Sequence, residues 1–136
     1  MIATSDIEDI IISHCGEFGI IKADGVDIDD RQGVGLTNEV IVIHVHAQNT
    51  GRIWEPCAVD VNFCVPNYKS GKRKKNRLQQ IENLANAKFK DGVYGEYNES
   101  PYLIEKISIG IEKEADLKAH YVNLKLNFKT LNTLQV

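Results

Sequence analysis

At 136 residues the chain has room for one domain with a core of its own and is short for two. Its apolar content of 43% and charged content of 26% are those of a globular protein, and no apolar run approaches the roughly 20 residues that span a bilayer, which excludes a membrane helix. The formal charge of −3 is unevenly spread: residues 69–77 hold six basic side chains and no acid, leaving 10 basic against 19 acidic groups elsewhere, a balance of −9.

In chain order, Ser5 followed by Glu8 is a capping-box pattern that predicts a helix start. Ile7, Ile10, Ile11 and His14 then form one helical stripe, with Gly16 or Gly19 available to end it and His14 expected at the core boundary. The N-terminus is acidic and lacks the basic start and small-residue cleavage site of a secretory signal, so a cytoplasmic location is expected. From Ile20 the pattern predicts a short strand and then an acidic, glycine-containing loop over 24–38. Asp24, Asp27, Asp29 and Asp30 invite a calcium reading, but the DxDxDG register with a glutamate at the twelfth loop position is absent.

The most regular stretch runs from Glu39 to Asn67. Ile41, Ile43, Val45 and Ala47 share one parity and Val59, Val61, Phe63 and Val65 another, the period of two that half-buried strands require. Antiparallel pairing with the apolar faces matched predicts His46 opposite Asp60 and His44 opposite Asn62. Pro66 should end the second strand, and residues 67–76 should form a basic loop. The loops at 24–38 and 67–76 are expected to be mobile insertions in a single domain spanning 1–136.

Asn76 looks like the cap of a second helix, with Leu78, Ile81, Leu84, Ala85 and Phe89 on its apolar stripe and Asp91-Gly92 as its stop. Leu103 and Glu105 lead into Ile107, Ile109 and Ile111 on one parity, a turn falls within KEADLK, and Val122, Leu124, Leu126 and Phe128 alternate with polar residues. The order predicts an α+β fold: an antiparallel sheet of at least four strands, in two hairpins, with two helices packed on one face.

Chemistry-bearing patterns are sparse. Cys15, Cys57 and Cys64 match neither a CxxC redox pair nor a paired zinc-ligand spacing, and they read as reduced, mostly buried thiols. His44 and His46 point one way from a strand, beside Asp60, but no third convergent ligand is identifiable beyond that Asp, so neither a metal nor a catalytic centre is expected. KSGKRKKN lacks the GxxxxGK[ST] spacing of a phosphate-binding loop. Lys69, Lys72, Arg73, Lys74, Lys75 and Arg77 form the main electrostatic feature, with Tyr68 beside them as a stacking ring. That basic run and the acidic Asp24, Asp27, Asp29 and Asp30 are the candidate partner-binding residues.

The amphipathic first helix, the VIVIHVH strand, the strand ending DVNFCVPN, the charged loop, the RLQQIENLANA helix and the closing AHYVNLKLNFK strand resemble, over most of residues 5 to 130, the small tail-completion proteins of tailed bacteriophages. In those tail terminators and head–tail joining proteins, a strand ending in a VP-like turn leads through a variable polar loop to a helix starting near an Arg, then to a terminal hairpin. The resemblance implies a structural protein of the virion, assembled from the host cytoplasm into a ring, commonly a hexamer, at the tail end or neck. Its partners would be copies of itself and other tail tube or neck proteins, with no cofactor, no enzymatic activity and no membrane. The alternative from the residues alone is a small nucleic-acid-binding accessory protein using the basic loop. A third is an enzyme using the His44, His46 and Asp60 face.

Overall fold

The computed structural model of the chain describes residues 2–22, 30–46 and 53–131. Among these, two α-helices and six strands follow in the order α1 (Thr4–His14), β1 (Ile21–Lys22), β2 (Val40–Val45), β3 (Ile53–Pro66), α2 (Lys75–Phe89), β4 (Val93–Tyr97), β5 (Ser100–Glu114) and β6 (Ala119–Leu131). The fold is α+β, with one sheet in the order β1-β2-β3-β6-β5-β4. All neighbours run antiparallel except the two-residue β1, which pairs parallel with β2.

The alternation read from the sequence decides which face is buried. Ile41, Val59, Val61, Phe63, Val65, Val122, Leu124, Leu126 and Phe128 all join one core, where they meet Ile7, Ile10 and Ile11 of α1 and Leu78, Ile81, Ala85 and Phe89 of α2. Both helices therefore pack on the same face of the sheet. Each large side chain so buried stabilises the fold by roughly 1.5–3 kcal/mol. On the opposite face Val40 and Cys64 form a small second cluster, covered by Leu36. Cys57 and Cys64 thus face opposite ways, as their parity requires, and all three thiols are buried and unpaired.

Several boundaries and registers differ from expectation. α1 begins at Thr4, and its cap is Ala3, whose N–H donates to the Asp6 carboxylate at 2.8 Å; Asp6 takes the role expected of Glu8. α2 begins at Lys75 after a Lys74 cap, because the Leu78 N–H already reaches the Lys74 carbonyl at 3.0 Å. Asn76 therefore lies inside the helix and does not cap it. The pairing of β2 with β3 is shifted by two residues, so His44 and not His46 stands opposite Asp60, while Val42 faces Asn62. A shift of two keeps every side chain on its face, which is why the hydrophobic pattern alone cannot exclude it.

In β5 an irregularity between Lys106 and Ser108 breaks the single parity expected from Leu103 to Ile111. Leu103 and Glu105 pair with Lys129 and Asn127 on the outer face, whereas Ile109 and Ile111 pair with Leu124 and Val122 on the core side. The extra residue is Ile107, which is 56% exposed. β4, not among the strands read individually from the sequence, is joined to β5 through Asn98 and Glu99, both with positive φ (49° and 66°). Two consecutive positive φ values give the tight hairpin whose twist matches the strands.

His14 sits at the boundary as expected, its Nε2 2.9 Å from the Tyr102 hydroxyl. Burial, with the nearby Lys88 charge second, lowers its pKa below the ordinary value near 6.5, favouring the neutral ring. His120, held by Asn67 at 2.8 Å, is lowered too, by burial and then by Arg73 and Lys113. A native histidine with a depressed pKa binds fewer protons than the unfolded one. Its stabilising contribution is therefore complete above about pH 6.5 and is lost as pH falls from there through the lowered native value. The melting temperature should drop between about pH 7 and pH 5, and drop less in His14→Gln; an identical slope in the variant would contradict the assignment.

Candidate functional site

Three groups of residues singled out by the sequence lie on this frame. The first is the outer face of β2 and β3. The His46 Nε2 is 2.9 Å from Asp60 Oδ2, a diagonal contact made across the shifted register, and the His44 and His46 rings meet edge-on at 4.5 Å. The His46 hydrogen bond holds the Asp60 carboxyl below the ordinary carboxylate range. Beside it the Asn123 amide donates to Asn62 Oδ1 at 2.7 Å, so this part of the face consists of cross-strand polar pairs. Among the described residues no group of three or more His, Cys, Asp or Glu is placed to hold a metal ion. Cys64 lies on the same face beneath Leu36, and burial, with Glu114 second, pushes its thiol up to about 12. Such a thiol stays protonated and is a poor nucleophile at neutral pH.

The second group is the basic run. Residues 67–74 form the connection between β3 and α2, closed by Gly71 N–H to Tyr68 O at 2.8 Å and Tyr68 N–H to Lys72 O at 2.9 Å. Gly71 takes φ +88°, a conformation in which a side chain is strained. Lys69, Lys72, Arg73 and Lys75 are exposed, while Lys74 is half-buried with its Nζ 5.5 Å from the centre of the Tyr68 ring. The turn is anchored to the start of β6 through Asn67 N–H to Lys118 O at 2.9 Å.

Arg77, the last of the candidate partner-binding cations, does not belong with the others. Its Nε and Nη2 donate to the two oxygens of Glu39, both at 2.7 Å, and Nη2 also donates to the Phe18 carbonyl at 2.7 Å. The Glu39 hydrogen bond raises its pKa further above the ordinary value. Its guanidinium is thus engaged inside the chain, unlike the exposed cations of the turn. The fork geometry that makes Arg suited to carboxylates is used to join α2, the entry to β2 and the turn after α1.

The third group is acidic. Asp24, Asp27 and Asp29 lie outside the described residues; Asp30 is described and is exposed. The following segment docks on the β5–β6 turn through Gly33 N–H to Asp116 O and Leu36 N–H to Leu117 O, both at 2.8 Å.

Docking of that segment creates a feature that the sequence did not signal. Val34, Gly35 and Leu36 on one side, Asn67 to Lys69 on another and Lys113 and Lys118 on a third enclose an open groove of about 470 Å³. Lys113 and Lys118 lie more than forty positions from Lys69, in a turn of mixed charge, so no local pattern marks them as its neighbours.

Lys72, Arg73, the half-buried Lys74 and Lys75 sit at the first turn of α2 or just before it, where positive charge opposes the helix dipole. Charge reversal of Lys72, Arg73, Lys74 and Lys75 together should therefore leave the melting temperature within a few degrees or raise it, since three of the four are exposed and exposed substitutions shift stability by about 0.5 kcal/mol each. Collapse of the fold in that variant, followed by circular dichroism on heating, would show these side chains to be structural.

Compared with known proteins, the chain matches no protein-family model and no curated protein. Fold and surface define it as an α+β domain built on an open antiparallel sheet, with a polar outer face and a concentrated basic patch. No helix among the described residues is long and apolar enough to cross a membrane.

Proposed function

We propose that this chain is a structural protein of a tailed bacteriophage, a subunit of a ring at the tail end or the head–tail neck, without catalytic activity. The observation that carries the reading is the asymmetry of the two sheet edges. Among the described residues one edge ends in the two-residue β1, where Ile21 is 67% exposed, and the other is β4, where Tyr94 is 69% exposed. An edge strand presents outward-facing N–H and C=O groups that a second chain can pair with, and an exposed apolar side chain beside them adds burial on contact. Because the two edges are different surfaces, joining one to the other repeats head to tail, and it closes into a ring when the rotation per subunit divides a full turn. The bacteriophage context comes from the resemblance of the strand and helix pattern, and a hexamer is the ring size that resemblance favours.

Ile21→Lys and Tyr94→Lys place a charge on each edge in turn. Both variants should keep the urea midpoint of the wild type to within about 1 kcal/mol of stability, since both sites are exposed. They should fail to enter assemblies when mixed with wild-type chains and neighbouring particle proteins, as read by co-sedimentation. Full incorporation of both variants would contradict edge-to-edge assembly.

A further inference from the structure

We infer that the groove between the basic turn and the β5–β6 turn binds a single nucleic-acid strand, its phosphates held by Lys69, Lys113 and Lys118 and a base stacked on Tyr68. This goes beyond the ring reading and does not depend on it, because the groove is complete within one chain.

The groove is built by three separate segments brought together by backbone hydrogen bonds: the docked segment at Leu36, the turn at Asn67 and the start of β6 at Lys118. None of its lining residues among those described is acidic. Of the acids in and around the β5–β6 turn, the Glu112 carboxylate accepts the Tyr121 O–H at 2.6 Å, Glu114 lines a different pocket with Cys64 and Tyr121, and Asp116 is exposed next to Ala115 but is not among the groove's lining residues. Lys69, Lys113 and Lys118 have no ion-pair partner among the described residues. Arg73 adds to the same field, since its charge and that of Lys113 both act on His120 next to the groove. Cations clustered around a concave surface concentrate polyanions, and on a chain of net charge −3 they give that attraction a place.

Tyr68 narrows the class of polyanion. Tyr68 is 58% exposed and lines the groove, with Lys74 near its ring. An exposed aromatic ring among lysines offers a base a stacking surface while the backbone phosphates meet the cations, the pairing that single strands use and a duplex cannot. An acidic peptide would use the lysines but leave the ring without a specific partner.

The test is fluorescence anisotropy of the full chain with a labelled oligothymidylate of about 20 nucleotides, titrated between about 50 and 200 mM salt. Binding is expected, with log K falling against log salt at a slope of about −2 to −3, the value for three or four neutralised phosphates on a single strand. Lys69→Glu/Lys113→Glu/Lys118→Glu should remove binding at the higher salt. Tyr68→Ala should weaken it about tenfold and Tyr68→Phe leave it unchanged, a split that a purely electrostatic surface would not show. Unfolding curves that overlay the wild type confirm that the exposed substitutions leave the fold intact. Three results would overturn the inference: no binding at the lowest salt, binding indifferent to the lysine and tyrosine variants, or equally tight binding of a polyglutamate peptide of matching charge, which would assign the groove to an acidic protein.

Discussion

Arg77→Ala should lower the stability of the fold by about 3 kcal/mol, a loss seen as a fall of roughly 10 °C in the melting temperature of a domain this size. Three elements meet at this one guanidinium. The Glu39 carboxylate, at the entry to β2, takes two hydrogen bonds of 2.7 Å, the Phe18 carbonyl after α1 takes a third, and Gln80 takes a fourth at 2.9 Å. Hydrogen bonds to charged groups contribute about 1.5–3 kcal/mol each, but the Arg77 and Glu39 side chains are 23% and 26% exposed, so solvent screening brings their sum well below full additivity. Arg77→Lys should recover little, because an ammonium cannot span both carboxylate oxygens and the Phe18 carbonyl from one planar fork. A double-mutant cycle with Glu39→Gln isolates the pair, and its coupling should exceed about 1 kcal/mol. A loss below about 0.5 kcal/mol in Arg77→Ala would return this side chain to the solvated, partner-seeking class.

Gly95→Ala should cost a further 2–3 kcal/mol or so, through overpacking of a ring that has nowhere to move. Gly95 pairs with Tyr102 across β4 and β5, and a Cβ at Gly95 would overlap the Tyr102 phenol. An exposed ring would swing aside. Tyr102 is only 6% exposed, its ring stacks on Phe128 at 5.2 Å, and its hydroxyl is held by His14. The glycine is thus the hole that lets an aromatic from β5 lie over the edge strand. Urea denaturation of Gly95→Ala alone and combined with Tyr102→Ala should show strong non-additivity, the second substitution relieving the clash made by the first. Additive losses, or an alanine tolerated to within about 0.5 kcal/mol, would contradict this packing.

These two positions also show where the sequence is readable. The buried face of the central strands is legible because alternation fixes which residues face the helices: Val59, Val61, Phe63, Val122, Leu124 and Leu126 are all in the core. Register is not legible, because a two-residue slip preserves that pattern, and so His44 takes the place expected of His46 opposite Asp60. β4 escapes notice since VYGEY is interrupted by the very glycine that Tyr102 requires, and its turn uses Asn98 and Glu99 in place of the usual glycine. Of the candidate site, the basic turn can be read from its composition, whereas the removal of Arg77 from it and the addition of Lys113 and Lys118 depend on distant parts of the chain. Long-range charge pairing leaves no local signal in a single sequence.

The two sheet edges are the surfaces on which the proposed ring rests. Electron microscopy of the particle or complex that carries this chain tests it most directly. A closed ring of copies at the end of a tail tube or at the neck, with β4 of each subunit against the β1–β2 edge of the next, is the expected density. Density outside any ring, or a chain that works as a free monomer with no particle, would contradict it.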